Sequence, residues 1–500
     1  MLTAVLLSGC ASASKDGAGA KYNSLADLAG KRIGILQGTW YDTIAPQVIP
    51  GAELNYFNSL ADIESALNTD KIDSFLLDEP IITELVREGA KLKTILEPVC
   101  ESFYAFAFAK SEEGSALRSE FNVFLNEIKS NGRLKEIEAE WTGTDDSVKD
   151  VEDYTAYPAV NGTLTMFTSA SSPPFTYVLD GRVAGYDIEV AEEFCKERGY
   201  GLDIQIAELS GMVPALQSGK ADFVGAALTV TKERAENVLF SDSTYTCNVL
   251  AAVRSDASPA GSFFSSVAES FRKTFIVENR WMLFLEGVGT TMLITVLSII
   301  FGTLLGFGIY MACRNGNKVA NVIARFFVWL IHGMPVVVLL MILYYIIFSK
   351  APLDGTAVSI VGFTLIFGSS VYSMLKAGVM AIDYGQTEAA YALGYGSQKA
   401  FFRIVLPQAM PHFMPAYKDE IVSLIKATAV VGYIAVQDLT KMGDIVRNRT
   451  YEAFFPLIAV AIIYFVIAGL LTFIVGKIQI SFDPKRRTEA EILRGVVTHD

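Results

Sequence analysis

The sequence predicts two α/β blocks followed by an all-α transmembrane domain of about five spans. Three observations predict it. First, 51% of the 500 residues are hydrophobic and only 19% are charged, against about 25% charged in ordinary soluble chains; mean hydropathy is +0.36. Second, the charge is unevenly placed: residues 1–260 carry 21 Lys+Arg against 39 Asp+Glu, a net of −18, while residues 261–500 carry 20 against 15, a net of +5. Third, strand–helix alternation is confined to the region before residue 255 and long apolar runs to the region after 285. A net charge of −13 argues against a nucleic-acid partner. Three histidines are too few for a His-rich metal site, and no metal or cofactor is expected.

Residues 1–22 contain the run MLTAVLLSGCAS: an apolar stretch, small residues, then Cys10 and a Ser/Gly/Ala/Lys tether. This resembles a bacterial lipoprotein signal, which implies cleavage before Cys10 and lipidation there. No Lys or Arg precedes the run, and an ordinary signal peptide is the alternative. Cys100, Cys195, Cys247 and Cys313 form no CxxC pair; they read as buried thiols, with a disulfide at Cys100 as the alternative.

The first block covers 23–145. KRIGIL (31–36) reads as a strand ending at Gln37-Gly38-Thr39, and SLADIESAL (59–67) as the start of an amphipathic helix. IDSFLL (72–77) is a buried strand ending at Asp78, SFYAFAFA (102–109) another strand, and 115–141 has helical periodicity. The acidic, polar stretch 146–160 is a linker. The second block covers 161–255: TLTMFTSA (163–170) is a strand, SSPPFTY a loop, and Asp187 opens a helix through Arg198. LDIQIA (202–207) is a strand, Met212 to Ser218 a helix, DFVGAAL (222–228) a strand, and Thr231 opens a helical turn.

A connector over 256–284 leads into the apolar half, 285–480, with a tail over 481–500. The spans are read at 287–312, 326–348, 357–379, 421–437 and 454–476. Glu286 and Lys426 lie in or near spans and are either functional or boundary residues. Basic residues orient the spans. Arg314, Lys318 and Arg325, then Lys399, Arg403 and Lys418, then Lys485, Arg486 and Arg487 fall on one side, which is therefore cytoplasmic. The α/β blocks then lie outside. Lys441, Arg447 and Arg449, in the outer loop 438–453, run against the rule.

The loop GQTEAAYALGYGSQKAFFRIVLPQAMP (385–411) combines Glu388, Ala389 and Ala390 with Gly394, Ile404, Leu406 and Pro407. It reads as a short helix, a Gly turn and a second helix ended by Pro. It resembles the EAA loop of ATP-binding cassette importer permeases, a knob for a cytosolic ATPase. IHGMPVVVLL (331–340) and LIKATAVVGYIAVQDL (424–439) are similar to the polar-amino-acid branch, from which His332 and Met334 depart. The chain has no G-x-x-x-x-G-K-[ST] of its own, so the resemblance implies a separate ATPase subunit docked on this loop.

Residues 163–254 resemble the first lobe of periplasmic polar-amino-acid binding proteins, through SSPPFTYVLDGRVAGYDIEVAEEF, VPALQSGKADFV and ALTVTKERAENVLFSDSTY. Residues 24–143 resemble the second lobe and the returning C-terminal piece, through SLADLAGKRIGILQGT, KIDSFLLDEP and FNVFLNEIKSNGRLKEIEAEWTG. The family runs first lobe, second lobe, return. The resemblance therefore implies a circularly permuted bilobed domain closed by the 146–160 linker, or else a relic of two tandem domains. An α-carboxylate calls for a bidentate guanidinium: by resemblance Arg234 is that clamp, with Thr229 and, from the other lobe, Thr39 as donors. Asp78 takes the ammonium, unless it is only a helix N-cap. Trp40, Ser172 and Phe175 are placed around the substrate side chain.

The implied function is the binding and permease subunit of an ATP-driven amino acid importer, multi-pass in a bacterial plasma membrane and homodimeric. An enzyme is disfavoured, since no Ser/His/Asp set, metal spacing or dinucleotide fingerprint occurs. The alternative is a ligand-gated channel or amino acid receptor on the same bilobed domain; against it, both lobes precede every span.

Overall fold

The computed structural model describes residues 22–145, 148–149, 151, 153–255, 263–450 and 454–482. Cys10 and its tether, parts of the 146–160 linker and the tail beyond 482 lie outside the described residues. The chain divides into two compact units. One runs up to Ser102 and takes in Thr246–Ser266; the other joins Phe103–Tyr245 to everything from Val267 onward.

The strands in chain order are β1 (Arg32–Leu36), β2 (Glu53–Phe57), β3 (Ser74–Asp78), β4 (Leu92–Tyr104), β5 (Ala107–Phe108), β6 (Thr163–Thr168), β7 (Tyr177–Leu179), β8 (Arg182–Ala184), β9 (Gly201–Ile206), β10 (Phe223–Val224), β11 (Leu239–Phe240) and β12 (Tyr245–Arg254). The first unit's sheet has the order β2-β1-β3-β12-β4. β1 runs parallel to β2 and β3, and β12 antiparallel to β3 with Val249 opposite Asp78. All five residues of β3 are buried: Phe75, Leu76 and Leu77 fill both faces of a central strand, flanked by buried Ser74 and Asp78. Ser59 caps the helix Leu60–Asn68 by accepting from Asp62 N.

The second unit's sheet has the order β11-β5-β10-β6-β9. Phe106, Phe108, Phe121, Phe124, Phe194 and Phe223 are fully buried around it. Each sheet thus draws strands from both sequence blocks: β12 enters the first, β5 the second. The expected strand 102–109 is broken at Ala105-Phe106, and the chain changes unit at Ser102–Phe103. The helical stretch 115–141 is two helices, Glu112–Ser130 and Arg133–Thr142, separated at Gly132 with φ +89.

In the apolar half, three helices are long and apolar enough to cross a membrane: Trp281–Cys313, Gly355–Met380 and Phe455–Lys477. The expected second span is two helices, Lys318–His332 and Val336–Ile347, bent by 108°. Gly333 and Pro335 sit at the break, and proline neither donates nor lets its predecessor stay helical. The expected span 421–437 is not a helix of that kind. It begins in Leu406–Ala427, which contains Pro411, Pro415, Lys418, Asp419, Glu420 and Lys426, and then tightens into the 3₁₀ segment Thr428–Ile434. The described residues hold three apolar spans, or four with the bent pair counted as one, in place of the expected five. The connector is also more ordered than read, with a helix over Phe263–Phe271.

Helices 281–313 and 355–380 pack through glycine. A Cβ on Gly306 would lie 2.5 Å from the Gly368 carbonyl oxygen, and one on Gly302 3.0 Å from Phe367 Cβ. Such close approach of backbones is the usual basis of helix association in lipid.

The three basic residues that break the charge rule are all paired. Lys441 Nζ meets Glu208 at 2.5 Å, Arg447 meets Asp444 at 3.0 Å, and Arg449 meets Glu278 at 3.0 Å.

Candidate functional site

In the first unit, the turn after β1 has Gly38 at φ +86, a conformation glycine adopts without strain. Thr39 follows it, and both its hydroxyl (2.6 Å) and its amide (3.2 Å) donate to the Leu36 carbonyl. Trp40 is half-buried at the start of helix Tyr41–Val48, and its Nε1 is buried with no partner among the described residues. Asp78 ends β3 and is 3% exposed. Its Oδ2 accepts from Tyr41 Oη at 2.6 Å, and Cys247 Sγ donates to its Oδ1 at 3.8 Å. Burial and this carboxylate push the Tyr41 hydroxyl well above its usual range. Asp78 stands at the N-cap position of helix Glu79–Arg87, yet its side chain makes no capping bond. The capping alternative therefore does not explain it. Tyr41 was not foreseen; it follows Trp40 directly, and its fit to Asp78 depends on a contact 37 residues away.

In the second unit, Thr231 caps the short helix Lys232–Asn237 by accepting from Arg234 N at 3.2 Å. The half-buried Arg234 turns back so that Nη1 donates to the Thr229 carbonyl at 2.9 Å. Thr229 is buried and bridges to Tyr104. The Tyr104 ring meets Phe175 edge-on at 4.9 Å. Thr229, Arg234 and Phe175 are thereby brought into one neighbourhood by Tyr104, which sequence reasoning did not single out. Phe175 is fully buried and also packs edge-on against Tyr186 and Tyr245; here it is a core ring. Ser172 pairs through its backbone with Thr176, closing the SSPPFT turn.

Asp187, read from the sequence only as a helix start, has a further role. It is buried, and its Oδ2 accepts from Ala227 N at 2.6 Å. Ala227 has φ +49, a costly conformation for alanine, two residues before Thr229. The carboxylate therefore fixes the strand end that presents Thr229. Burial raises its pKa to about 7, against the lowering effect of the Ala227 amide.

The 385–411 loop forms a knob. Helix Tyr384–Ala392 carries Glu388 and Ala389 exposed and Ala390 buried. Gly394 turns the chain at φ +80. A second helix begins at Ser397 and is not ended by Pro407. Pro407, exposed, lies in the first turn of Leu406–Ala427, where its missing N–H costs nothing; a wide π-type turn over Phe401–Val405 precedes it. Leu393 is 77% exposed at the tip, with Tyr384, Tyr391 and Phe402 also exposed. Arg314 Nη2 donates to Ser397 O at 2.8 Å and Oγ at 2.6 Å, and its guanidinium lies 4.5 Å from the centre of the Phe401 ring. The loop after the first span and the knob therefore share one side. Glu286 and Lys426 are exposed on their helices. No cluster of three or more metal-ligating side chains occurs among the described residues.

The family described as "binding-protein-dependent transport system inner membrane component" matches residues 304–487. A permease protein of Rickettsia bellii assigned to a glutamine transport system is 32% identical over 199 residues, which are 39% of this chain and 90% of that protein. The chain belongs to this family of transport permeases. The arginine transport system permease protein ArtQ of Bacillus subtilis is 34% identical over 195 residues, covering 39% of this chain and 89% of its own. A crystal structure of an amino acid ABC transporter with histidines aligns over 44% of this chain and 99% of its own, with 26% identity and a TM-score of 0.38. As a permease of this family, the chain is a multi-pass membrane protein, and the matched stretch contains the knob but not the two α/β sheets.

Proposed function

We propose that this permease is the fused substrate-binding and permease subunit of an ATP-driven amino acid importer, paired as a homodimer, with its α/β sheets outside the membrane. One observation carries the reading. The α/β lobe of 163–245 lies in the same compact unit as the permease helices and contacts the turn 349–354 and the helix Leu439–Thr450, while the knob at 384–407 lies beyond the opposite end of helix 355–380. This separation supports a reading with substrate recognition and ATPase contact on opposite faces, as an importer needs. In this reading Arg234 and Thr229 bind the α-carboxylate, Asp78 the ammonium, and Thr39, Trp40 and Ser172 support the pocket, with Phe175 acting only as core packing behind Tyr104. Glu388, Ala389, Ala390, Gly394 and Pro407 form the surface for a cytosolic ATPase, and Cys10 is the lipid anchor.

The exchange of β12 and β5 between the two sheets supports circular permutation. Joining residue 255 to residue 22 and opening the 146–160 linker would give the order first lobe, second lobe, return. The test is calorimetric titration of the purified full chain with each common amino acid. Binding of one of them, lost in Arg234→Ala, is expected; no binding by any would overturn the reading. Ion current in the absence of any ATPase would favour the receptor-channel alternative.

A further inference from the structure

We infer that the lobe of residues 163–245 is a fixed part of the permease, locked to it by a built polar and apolar interface, and does not leave and return as a tethered module. The inference rests on the function proposed above only in assigning this lobe to substrate binding.

Three lobe segments reach the permease. Lys220, just past helix Met212–Gln217, donates through Nζ to the carbonyls of Ala351 (3.0 Å) and Leu353 (3.1 Å) and lies 4.9 Å from the centre of the Tyr344 ring. Glu208 accepts from Lys441 Nζ at 2.5 Å. The turn Leu209–Gly211 sits so close that a Cβ on Gly211 would be 2.9 Å from Tyr345 Oη and 3.5 Å from the Tyr433 carbonyl. At the third place Arg449, paired with Glu278, covers the Tyr177 ring at 5.2 Å. Behind these contacts the apolar core is continuous: Met212, Ala215 and Leu216 belong to one buried cluster with Tyr344, Tyr345, Val431 and Ile434.

A surface that must separate in every cycle has to tolerate water on both sides. This one does not. The Lys441 side chain is 8% exposed and Glu208's is 35%, so undocking strips a buried cation of its acid, and removing one partner of a buried pair is strongly destabilising. Lys220 would lose two carbonyls, and Met212 and Leu216 would lose their cover. Continuous apolar packing with few buried charges marks permanent interfaces.

The experiment is pulsed electron–electron resonance on the full chain in nanodiscs. Spin labels are placed at Glu197→Cys on the lobe and Lys350→Cys on the permease, both exposed in the wild type, with the free thiols Cys100, Cys195, Cys247 and Cys313 replaced by alanine. Distances are recorded with and without a mixture of the twenty common amino acids. A single narrow distance, unchanged by the mixture, is expected. A second, longer population in either sample overturns the fixed lobe. Lys441→Glu is expected to raise a longer population from below detection to a major fraction, and Glu208→Lys with Lys441→Glu to remove it. An unchanged distance in Lys441→Glu overturns the lock. The readout needs neither the substrate's identity nor the ATPase, so failure of the importer reading, seen by titration, is distinct from failure here.

Discussion

Gly306→Ala is a one-carbon test of the permease packing. The new Cβ would meet the Gly368 carbonyl oxygen at 2.5 Å, Tyr372 N at 2.8 Å and Val371 Cβ at 2.8 Å, where ordinary contact begins at 3.4 Å. Two of these three atoms are backbone and none is the tip of a flexible side chain, so helices 281–313 and 355–380 must part locally by about 0.9 Å, the difference between 3.4 and 2.5. Overpacking of this kind costs about 1–3 kcal/mol. Gly308→Ala is the internal reference. Two residues on, in the same helix, its Cβ would meet nothing within 4 Å. There alanine is neutral or stabilising by up to about 1 kcal/mol through helix propensity. Thermal unfolding of the two variants in one detergent gives the comparison. Gly306→Ala should unfold at a clearly lower temperature than wild type and Gly308→Ala at the same or a higher one. Equal midpoints for the two would refute the seam.

Three further outcomes are expected. Arg234→Ala should abolish amino acid binding at a cost of about 2–5 kcal/mol, and Arg234→Lys should also fail because a point charge loses the fork; unchanged affinity by titration would remove the clamp. Asp187 holds a proton up to about pH 7 in the folded chain, while the unfolded chain releases it near 3.8; its contribution is therefore complete below the unfolded value and lost as pH rises through 7. Asp187→Asn, which can still accept from Ala227 N, should flatten the fall in unfolding temperature between about pH 4 and pH 8, worth roughly 4 kcal/mol at most, and an unaltered pH profile would contradict the assignment. At Gly394 the space is open and the constraint is φ +80. Gly394→Ala should therefore cost about 1–2 kcal/mol of backbone strain and lower substrate-stimulated ATP hydrolysis at unchanged amino acid affinity; full ATPase stimulation would exclude a coupling role.

Local chemistry was legible where one segment carries its own cause. IDSFLL was readable as a buried strand because Phe75, Leu76 and Leu77 run uninterrupted between Ser74 and Asp78, and Thr231 as a helix start because it caps three residues on. Pairings distant in sequence were not. Nothing near residue 249 indicates that β12 inserts between β3 and β4, because the partner Asp78 lies in the other block. Hydropathy averages hid the break at Gly333 and Pro335, since both sit among apolar neighbours. The knob was legible as helix–Gly–helix, but Pro407 was misplaced: a proline stops a helix from inside and begins one from its first turn, and the sequence does not say where that turn falls. Of the candidate ligand residues, Thr229, Arg234 and Phe175 come together, through a tyrosine that no local pattern marked.

The broken span has a consequence for what surrounds it. His332 Nε2 lies 2.9 Å from Ser369 Oγ. Ser369 stands about 21 Å along the 26-residue helix 355–380 at 1.5 Å per residue, near its midpoint. The 108° bend is thus at mid-depth of the layer, and His332, Gly333 and Pro335 are exposed there. A bend of this size releases the last carbonyls of one helix and the first amides of the next from their ladders. Hydrocarbon offers such groups no hydrogen bond, and irregular backbone persists at that depth only against protein or a water-filled cavity. Acyl chains therefore do not line this flank: either water or a second protein surface borders it.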